Sequence, residues 1–383
     1  MYLFSNFRTI YLVLFCFLVS YAMILRMDTW TNNIARERRK GQGKKLLVLL
    51  ITLSILVLLF FISLGIGSSG VGFLSSWKAL FGSGDVGTIR IVRGIRLPRT
   101  LGAIVVGAGL ALSGLLMQAC LRNGLASPST LGVSNAASFG ANIAIFIAFG
   151  TSHSGRNDFL YVSQSPWVTS AFALVFSILC LFLVMAFSAF AHFKPTSVLL
   201  IGVSFSSLFQ ALTTLLQYFA DDVQLSSVTN WAFGDLERLD FAQNGIIGGI
   251  ALACLIIAFF FSYPLNAMQG GEDLAKSLGV KTSVVRFILL FLSSLLTAVC
   301  VCFCGIIGFI GIMAPHILKR FVGNDMRLLL PASFLGGAGL LLICDILTRL
   351  IGRGTSLPVG AITALIGAPF FLFLLFSKKE KNL

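Results

Sequence analysis

Ten apolar runs, each long enough to cross a lipid bilayer, constrain this chain more than any other feature. They fall at about 46–66, 99–121, 131–150, 168–190, 198–219, 245–263, 284–303, 305–322, 329–350 and 359–377. A helix through the hydrocarbon core consumes roughly 20 apolar residues. Composition agrees, since 57% of the 383 residues are apolar and only 11% are charged. A soluble globular enzyme carries about 25% charged residues, so that class is excluded. The expected fold is an all-α polytopic membrane protein. A ten-helix domain spans 46–377, after an N-terminal extension at 1–45 and before a basic tail at 378–383.

An eleventh apolar stretch, Ile10–Leu25, sits between Arg8 and Arg26. Its length is nearer a signal core than a stable span. A further span, a signal-like segment and a stretch upstream of a true start at Met27 all stay open.

Lys and Arg number 28 against 14 Asp and Glu. On a soluble protein that excess would suggest nucleic acid. On a membrane protein it marks the cytoplasmic loops, and no nucleic-acid partner is expected. Placing residues 36–45 and 378–381 inside puts the larger share of the basic residues in the cytoplasm, as the positive-inside rule asks. One outer loop departs from the trend. Residues 67–99 hold Lys78, Arg90, Arg93, Arg96 and Arg99 against Asp85 alone. A long exported loop tolerates such charge, but a cluster of one sign also steers an acidic partner. The outer loop 220–244 is acidic instead, with Asp221, Asp222, Asp235, Glu237 and Asp240.

Within the spans, small residues recur four apart: Gly107 and Ala111, Gly109 and Ser113, and Gly132, Ala136 and Gly140. Close backbone approach is what packs helices in lipid, so these positions predict a compact bundle. Polar groups at membrane depth are few, chiefly Gln118, Gln210, Gln217, His316 and Asp345. Asp345 and Arg349 stand four apart on one helix and can pair. One acid and one His make a poor proton path. The eight cysteines lie in apolar runs without a C-x-x-C pair, so they read as small packing residues, not as a disulfide frame or metal site.

No catalytic or metal-ligating pattern appears. GQGKK at 41–45 lacks the leading Gly and the Ser or Thr of a phosphate loop, and neither H-E-x-x-H nor G-x-S-x-G occurs. The chain is not expected to be an enzyme. Any ATP and magnesium would belong to a partner. The best contact for such a partner is the loop 268–280, MQGGEDLAKSLGV. There Leu274 and Leu278 share one face of a short helix, while Glu272, Asp273 and Lys276 point elsewhere. A helix so short needs neighbours or a partner to hold it.

Six strings then resemble one family in order and spacing. They are RLPRTLGAIVVGAGLALSGLLMQ (96–118), NGLASPSTLGVSNAASFGA (123–141), GGEDLAKSLGV (270–280), GIIGFIGIMAPHILKR (305–320), RLLLPASFLGGAGLLLICDILTR (327–349) and LPVGAITALIGAPFFLFLL (357–375). They are similar to the membrane permeases of ABC importers for iron–siderophores, haem and cobalamin. The resemblance implies ten spans per subunit, a homo- or heterodimer, two cytoplasmic ATPase subunits and an extracytoplasmic binding protein. The setting it implies is a bacterial plasma membrane, with both ends of the ten-helix domain in the cytoplasm. Arg96, Arg99 and Arg349 match the outer arginines that dock the binding protein, and Thr196 and Ser197 match the inner gate. Gly270, Gly271, Glu272, Asp273, Leu274, Ala275, Lys276, Ser277, Leu278 and Gly279 match the coupling helix seated in the ATPase. Asn123-Gly124-Leu125-Ala126 departs from the usual N-P-L-A, and Ser356 stands where a Glu commonly precedes L-P-V-G. Ferric siderophore is the expected solute, ahead of haem and cobalamin. An ion-coupled secondary transporter, a membrane-embedded enzyme and a passive channel are the rivals from other classes.

Overall fold

The computed structural model describes residues 34–67, 71–150, 166–352 and 357–379. The Ile10–Leu25 stretch lies outside them. In chain order the helices are α1 (Ile34–Gly65), α2 (Phe73–Leu80), α3 (Val86–Ile91), α4 (Leu97–Leu121), α5 (Val133–Gly150), α6 (Pro166–Phe190), α7 (Pro195–Tyr218) and α8 (Asp222–Ala232). They continue with α9 (Phe241–Phe260), α10 (Ser262–Gln269), α11 (Glu272–Ser277), α12 (Thr282–Cys304), α13 (Ile310–Val322), α14 (Met326–Ile351) and α15 (Val359–Lys379). A π-helical turn, Val92–Arg96, joins α3 to α4. Among the described residues there is no strand.

A helix stands at each of the ten expected places, and seven are long and apolar enough to cross a membrane on those grounds alone. One expectation needs correction. The run 305–322 is not helical throughout, because α13 begins only at Ile310. Gly305 and Phe309 both take positive φ, 75° and 67°, so the backbone leaves the helix between them. At about 1.5 Å per residue, the 13 residues of α13 are too short to cross the hydrocarbon core alone. Irregular backbone at such depth is tolerated only where protein or a cavity surrounds it. Here Gly305 lies so close to the Trp231 carbonyl that a Cβ would overlap it.

The acidic loop 220–244 contains α8. Asp221 accepts from the Gln224 backbone N–H at 2.8 Å while Gln224 accepts from Asp221, a reciprocal cap that starts the helix. Asp240 and Gln243 do the same for α9. Val228 and Trp231 of α8 are buried with Ala137, Ala141 and Ile145 of α5. Two of the acids are therefore caps, and half of the loop is packed structure.

Helix α4 is the centre of the bundle: 83% of its most apolar stretch is buried, against 22% in α1 and α7. The small residues explain how it is surrounded. A Cβ at Gly107 would overlap the Gly337 carbonyl of α14, and one at Gly114 would overlap the Gly311 carbonyl of α13. Against α12, Ser113 donates to the Ser293 carbonyl at 2.7 Å and lies 2.6 Å from Thr297 Oγ1. Interhelical hydroxyl bonds of this kind contribute on the order of 0.6 kcal/mol each. Pro315 interrupts the ladder of α13, since it has no N–H for the carbonyl four residues earlier. That carbonyl belongs to Gly311, and the Gln118 side chain donates to it at 3.0 Å. Gln118 thus repairs a proline defect from the neighbouring helix. The seven cysteines in the described residues are buried and unpaired.

Candidate functional site

Contacts define two ends of the bundle. At one, α1 finishes, α4 and α9 begin, and α14 ends. Arg96 is 4% exposed and donates from Nη1 to the Leu64 carbonyl at 3.0 Å and to Ser76 Oγ at 2.8 Å. Arg99 is 6% exposed and donates from Nε to Asp345 Oδ1 at 2.7 Å and from Nη2 to Thr348 Oγ1 at 3.1 Å. Its Nη1 pairs with Glu237. Arg349 pairs with Asp345, as its i, i+4 spacing predicts, and donates to the Ser63 and Ile66 carbonyls at 2.9 and 3.1 Å.

The resemblance matches Arg96, Arg99 and Arg349 to docking arginines, and at this end of the bundle all three side chains are buried against partners within the chain. The reason is chemical: a carboxylate with no exposed area, Asp345, sits between Arg99 and Arg349, and the carbonyls of Ser63, Leu64 and Ile66 with the hydroxyls of Ser63, Ser76 and Thr348 take further donors. What this end exposes instead is Glu237, at 41%, together with Lys78, Arg90 and Arg93. Both oxygens of Asp345 are taken by arginines. His316 Nδ1 lies 3.0 Å from the Ile312 carbonyl, and its ring meets Phe371 edge-on. Among the described residues no group of three His, Cys, Asp or Glu side chains could hold a metal ion.

At the opposite end, α11 forms as the spacing predicts, with Gly271 (φ 132°) before it and Gly279 (φ 80°) after it. Positive φ at both borders is where glycine costs least, so the six-residue helix is bracketed by turns. Ala275 is buried, whereas Asp273, Leu274, Lys276, Ser277 and Leu278 are exposed, the two leucines at 50% each. Gly270 closes the preceding helix, α10. Asn266 of α10 donates to Asp325 Oδ1 at 3.0 Å and accepts from the Met326 backbone N–H at 2.9 Å. Desolvation works against the charge on Asp325. The bonds from Asn266 and the Arg327 N–H, with nearby Arg327 and Lys45, outweigh it and hold the carboxyl below its usual value.

Thr196 is exposed and Ser197 half-buried in the first turn of α7, just after Lys194. Ser204, Ser207, Gln210 and Thr214 are also exposed on this helix. Thr196, Ser207 and Thr214 fall within about 20° of one line at 3.6 residues per turn. Polar groups at membrane depth face a bundle interior or an aqueous cavity, not lipid. The open face of α7 thus mixes these hydroxyls and Gln210 with exposed Leu200, Val203, Leu208 and Leu215.

Three functional candidates escaped the sequence reading. The hydroxyl line of α7 was hidden among apolar neighbours, and Glu237 joined its arginine across 138 residues of sequence. Arg286, near the start of the 284–303 run, is buried with a side chain 2% exposed. An arginine inside an apolar run was the available signal.

Among the described residues the chain is a bundle of membrane-length helices with a break before α13 and a bracketed surface helix. The chain belongs to the FecCD transport family, whose model matches residues 55–377. An ABC transporter permease protein of Methanocaldococcus jannaschii is 40% identical over 350 residues, covering 91% of this chain and 99% of the relative. The hemin transport system permease of Yersinia pestis is 33% identical over 328 residues, covering 85% and 96%. The Fe(3+)-citrate import system permease of Bacillus subtilis is 34% identical over 348 residues, covering 91% and 100%. A solved metal-chelate type ABC transporter in an inward-facing conformation superposes with a TM-score of 0.72 and 33% identity, over 87% of this chain and 99% of that one. The protein is thus a multi-pass membrane permease of the ABC-importer type.

Proposed function

We propose that this permease carries ferric siderophore into the cytoplasm of a bacterial cell, as one subunit of a homo- or heterodimer. Two ATPase subunits, which bind the ATP and magnesium, act at the α11 end, and a binding protein docks at the arginine end. Both ends of the ten-helix domain face the cytoplasm in this reading. The iron-citrate and hemin permeases among its relatives support an iron-chelate cargo. Haem or cobalamin is the second reading, and the cobalamin permease of Salmonella arizonae, 35% identical over 348 residues, supports it.

One observation carries the proposal. Leu274, on the six-residue helix, and Leu278, its C-cap, stand half-exposed, while Ala275 is buried behind them. Apolar anchors on a rigid, protruding element are what a partner's groove takes up. Movement of α11 would then reorient the α7 faces across the dimer, and the Thr196–Ser197 turn would admit the solute. Substituting Leu274→Glu together with Leu278→Glu should abolish co-purification of the ATPase, a loss of about 100-fold or more in affinity for two such anchors. The bundle itself should keep its unfolding temperature. Undiminished co-purification would overturn the assignment of this surface.

Docking by Arg96, Arg99 and Arg349 has to reckon with Glu237, which covers Arg99. An incoming carboxylate would displace it. Glu237→Gln should therefore tighten binding of the substrate-binding protein several-fold, in keeping with the small worth of a half-exposed pair. Unchanged or weaker binding by surface plasmon resonance would remove Arg99 from the docking site.

A further inference from the structure

Arg286 occupies the second turn of α12, yet its side chain is 2% exposed and reaches three other elements. Nε donates to the Cys120 carbonyl at 3.0 Å, in the last turn of α4. Nη1 donates to the Phe193 carbonyl at 2.8 Å, in the turn between α6 and α7. Nη2 lies 3.7 Å from Glu272 Oε2, at the first residue of α11. The carbonyls of a helix's last turn lack partners within the helix, so Arg286 satisfies one that α4 cannot.

The turn at the end of α6 is unusual. His192 and Phe193 both have positive φ, 53° and 52°, which residues bearing a Cβ rarely adopt. Such a turn persists only when its surroundings hold it. Besides the Arg286 bond, the Phe193 ring packs edge-on against Phe287 at 5.6 Å between centroids. Two consecutive residues of α12 therefore hold the turn, and α7 with Thr196 and Ser197 begins directly after it.

A buried guanidinium must keep a counter-charge. Among the described residues the carboxylate within 4.0 Å of Arg286 is Glu272, which belongs to the surface helix. Withdrawal of α11 would strand the buried charge, so the guanidinium and what it grips must follow. We propose that Arg286 is the positioning residue that transmits displacement of α11 to the turn before α7. This rests on the reading of α11 as the contact for the ATPase. Lysine cannot substitute, because its donors radiate from one point whereas the planar guanidinium serves three directions at once.

The test uses the full chain assembled with its ATPase subunits in lipid nanodiscs, spin-labelled in pairs at Ser75, Lys194 and Ser277 after substitution by cysteine. Residues 75, 194 and 277 are exposed, and the seven described native cysteines are buried; Cys16→Ser removes the remaining one. Distances are read by pulsed electron resonance with and without ATP plus vanadate. In the otherwise native chain, both the 75–277 and 75–194 distances should shift on trapping, while 194–277 stays constant. In Arg286→Gln the 75–277 shift should remain, the 75–194 shift should vanish and the 194–277 distribution should broaden. ATP-driven uptake should fall about tenfold, within the usual range for loss of a coupling interaction, with hydrolysis retained. A mere packing role would not separate the two shifts. Should Arg286→Gln fail to assemble, Glu272→Gln cuts the ion pair and leaves both backbone bonds in place. It should also lose the 75–194 shift. Full retention of that shift in either variant overturns the proposal. Absence of a 75–277 shift in the unsubstituted chain instead defeats the reading of α11 itself.

Discussion

Asp345→Asn is expected to lose about 3–5 kcal/mol of stability, the range for removing one partner of a buried ion pair. The carboxylate has no exposed area and lies between Arg99 and Arg349. An Asn of the same shape offers an oxygen to one guanidinium but turns an NH2 toward the other. The carboxylate then left beside the two buried cations is Glu237, which pairs with Arg99 but is 41% exposed. The pair itself adds little over a well-packed apolar pair of equal volume, because desolvation offsets the attraction. The large effect is therefore one of breakage. Glu237→Gln, on the solvent side of the same network, should cost no more than about 1 kcal/mol. The contrast is checked by thermal unfolding of both variants in detergent. An Asp345→Asn variant as stable as the parent would mean that the arginines are balanced from elsewhere.

That network also marks the limit of what spacing reveals. The 345/349 pair is legible because a helix brings residues four apart together. Nothing in a linear sequence places Arg99 and Glu237 against the same pair. The outer placing of Arg96, Arg99 and Arg349 came from the resemblance, which says nothing of the buried partners that each guanidinium meets within the chain. Helix α8 was legible in principle. Asp221 and Gln224, like Asp240 and Gln243, are an acid followed three residues later by Gln, the signature of a reciprocal cap. The acidic count of the loop obscured it.

The ten apolar runs translated well because burial in lipid demands little more than length and apolarity. They failed at 305–309, where apolar composition continues through a backbone that is not helical. Ile306, Ile307 and Phe309 are as apolar as any span, and only the glycines hinted at a break. The surface helix at 272–277 was readable because its determinants are local: two glycines at its borders and two leucines four apart. Arg286, by contrast, acts through carbonyls contributed by Cys120 and Phe193. Carbonyls are present at every residue, so no side-chain pattern could announce the contact.

Gly114→Ala should be the most damaging single-methyl addition in the core, costing about 3 kcal/mol or more, the upper part of the range for overpacking. The added Cβ would overlap the carbonyl oxygen of Gly311, and backbone cannot rotate aside as a side chain can. Helix α13 would have to retreat from α4. The Gln118 amide would then lose the Gly311 carbonyl, which Pro315 has already deprived of a helical partner. Leaving such a buried acceptor unsatisfied adds about 1–3 kcal/mol. Gly249→Ala in α9 is the matched control, since a Cβ there meets nothing within 4 Å. It should leave stability unchanged or raise it by up to about 1 kcal/mol through helix propensity alone. Opposite shifts of the two variants in thermal unfolding would show that direct backbone contact joins α4 to α13. Equal shifts would show that the two helices can part without loss, and that the bundle is held elsewhere.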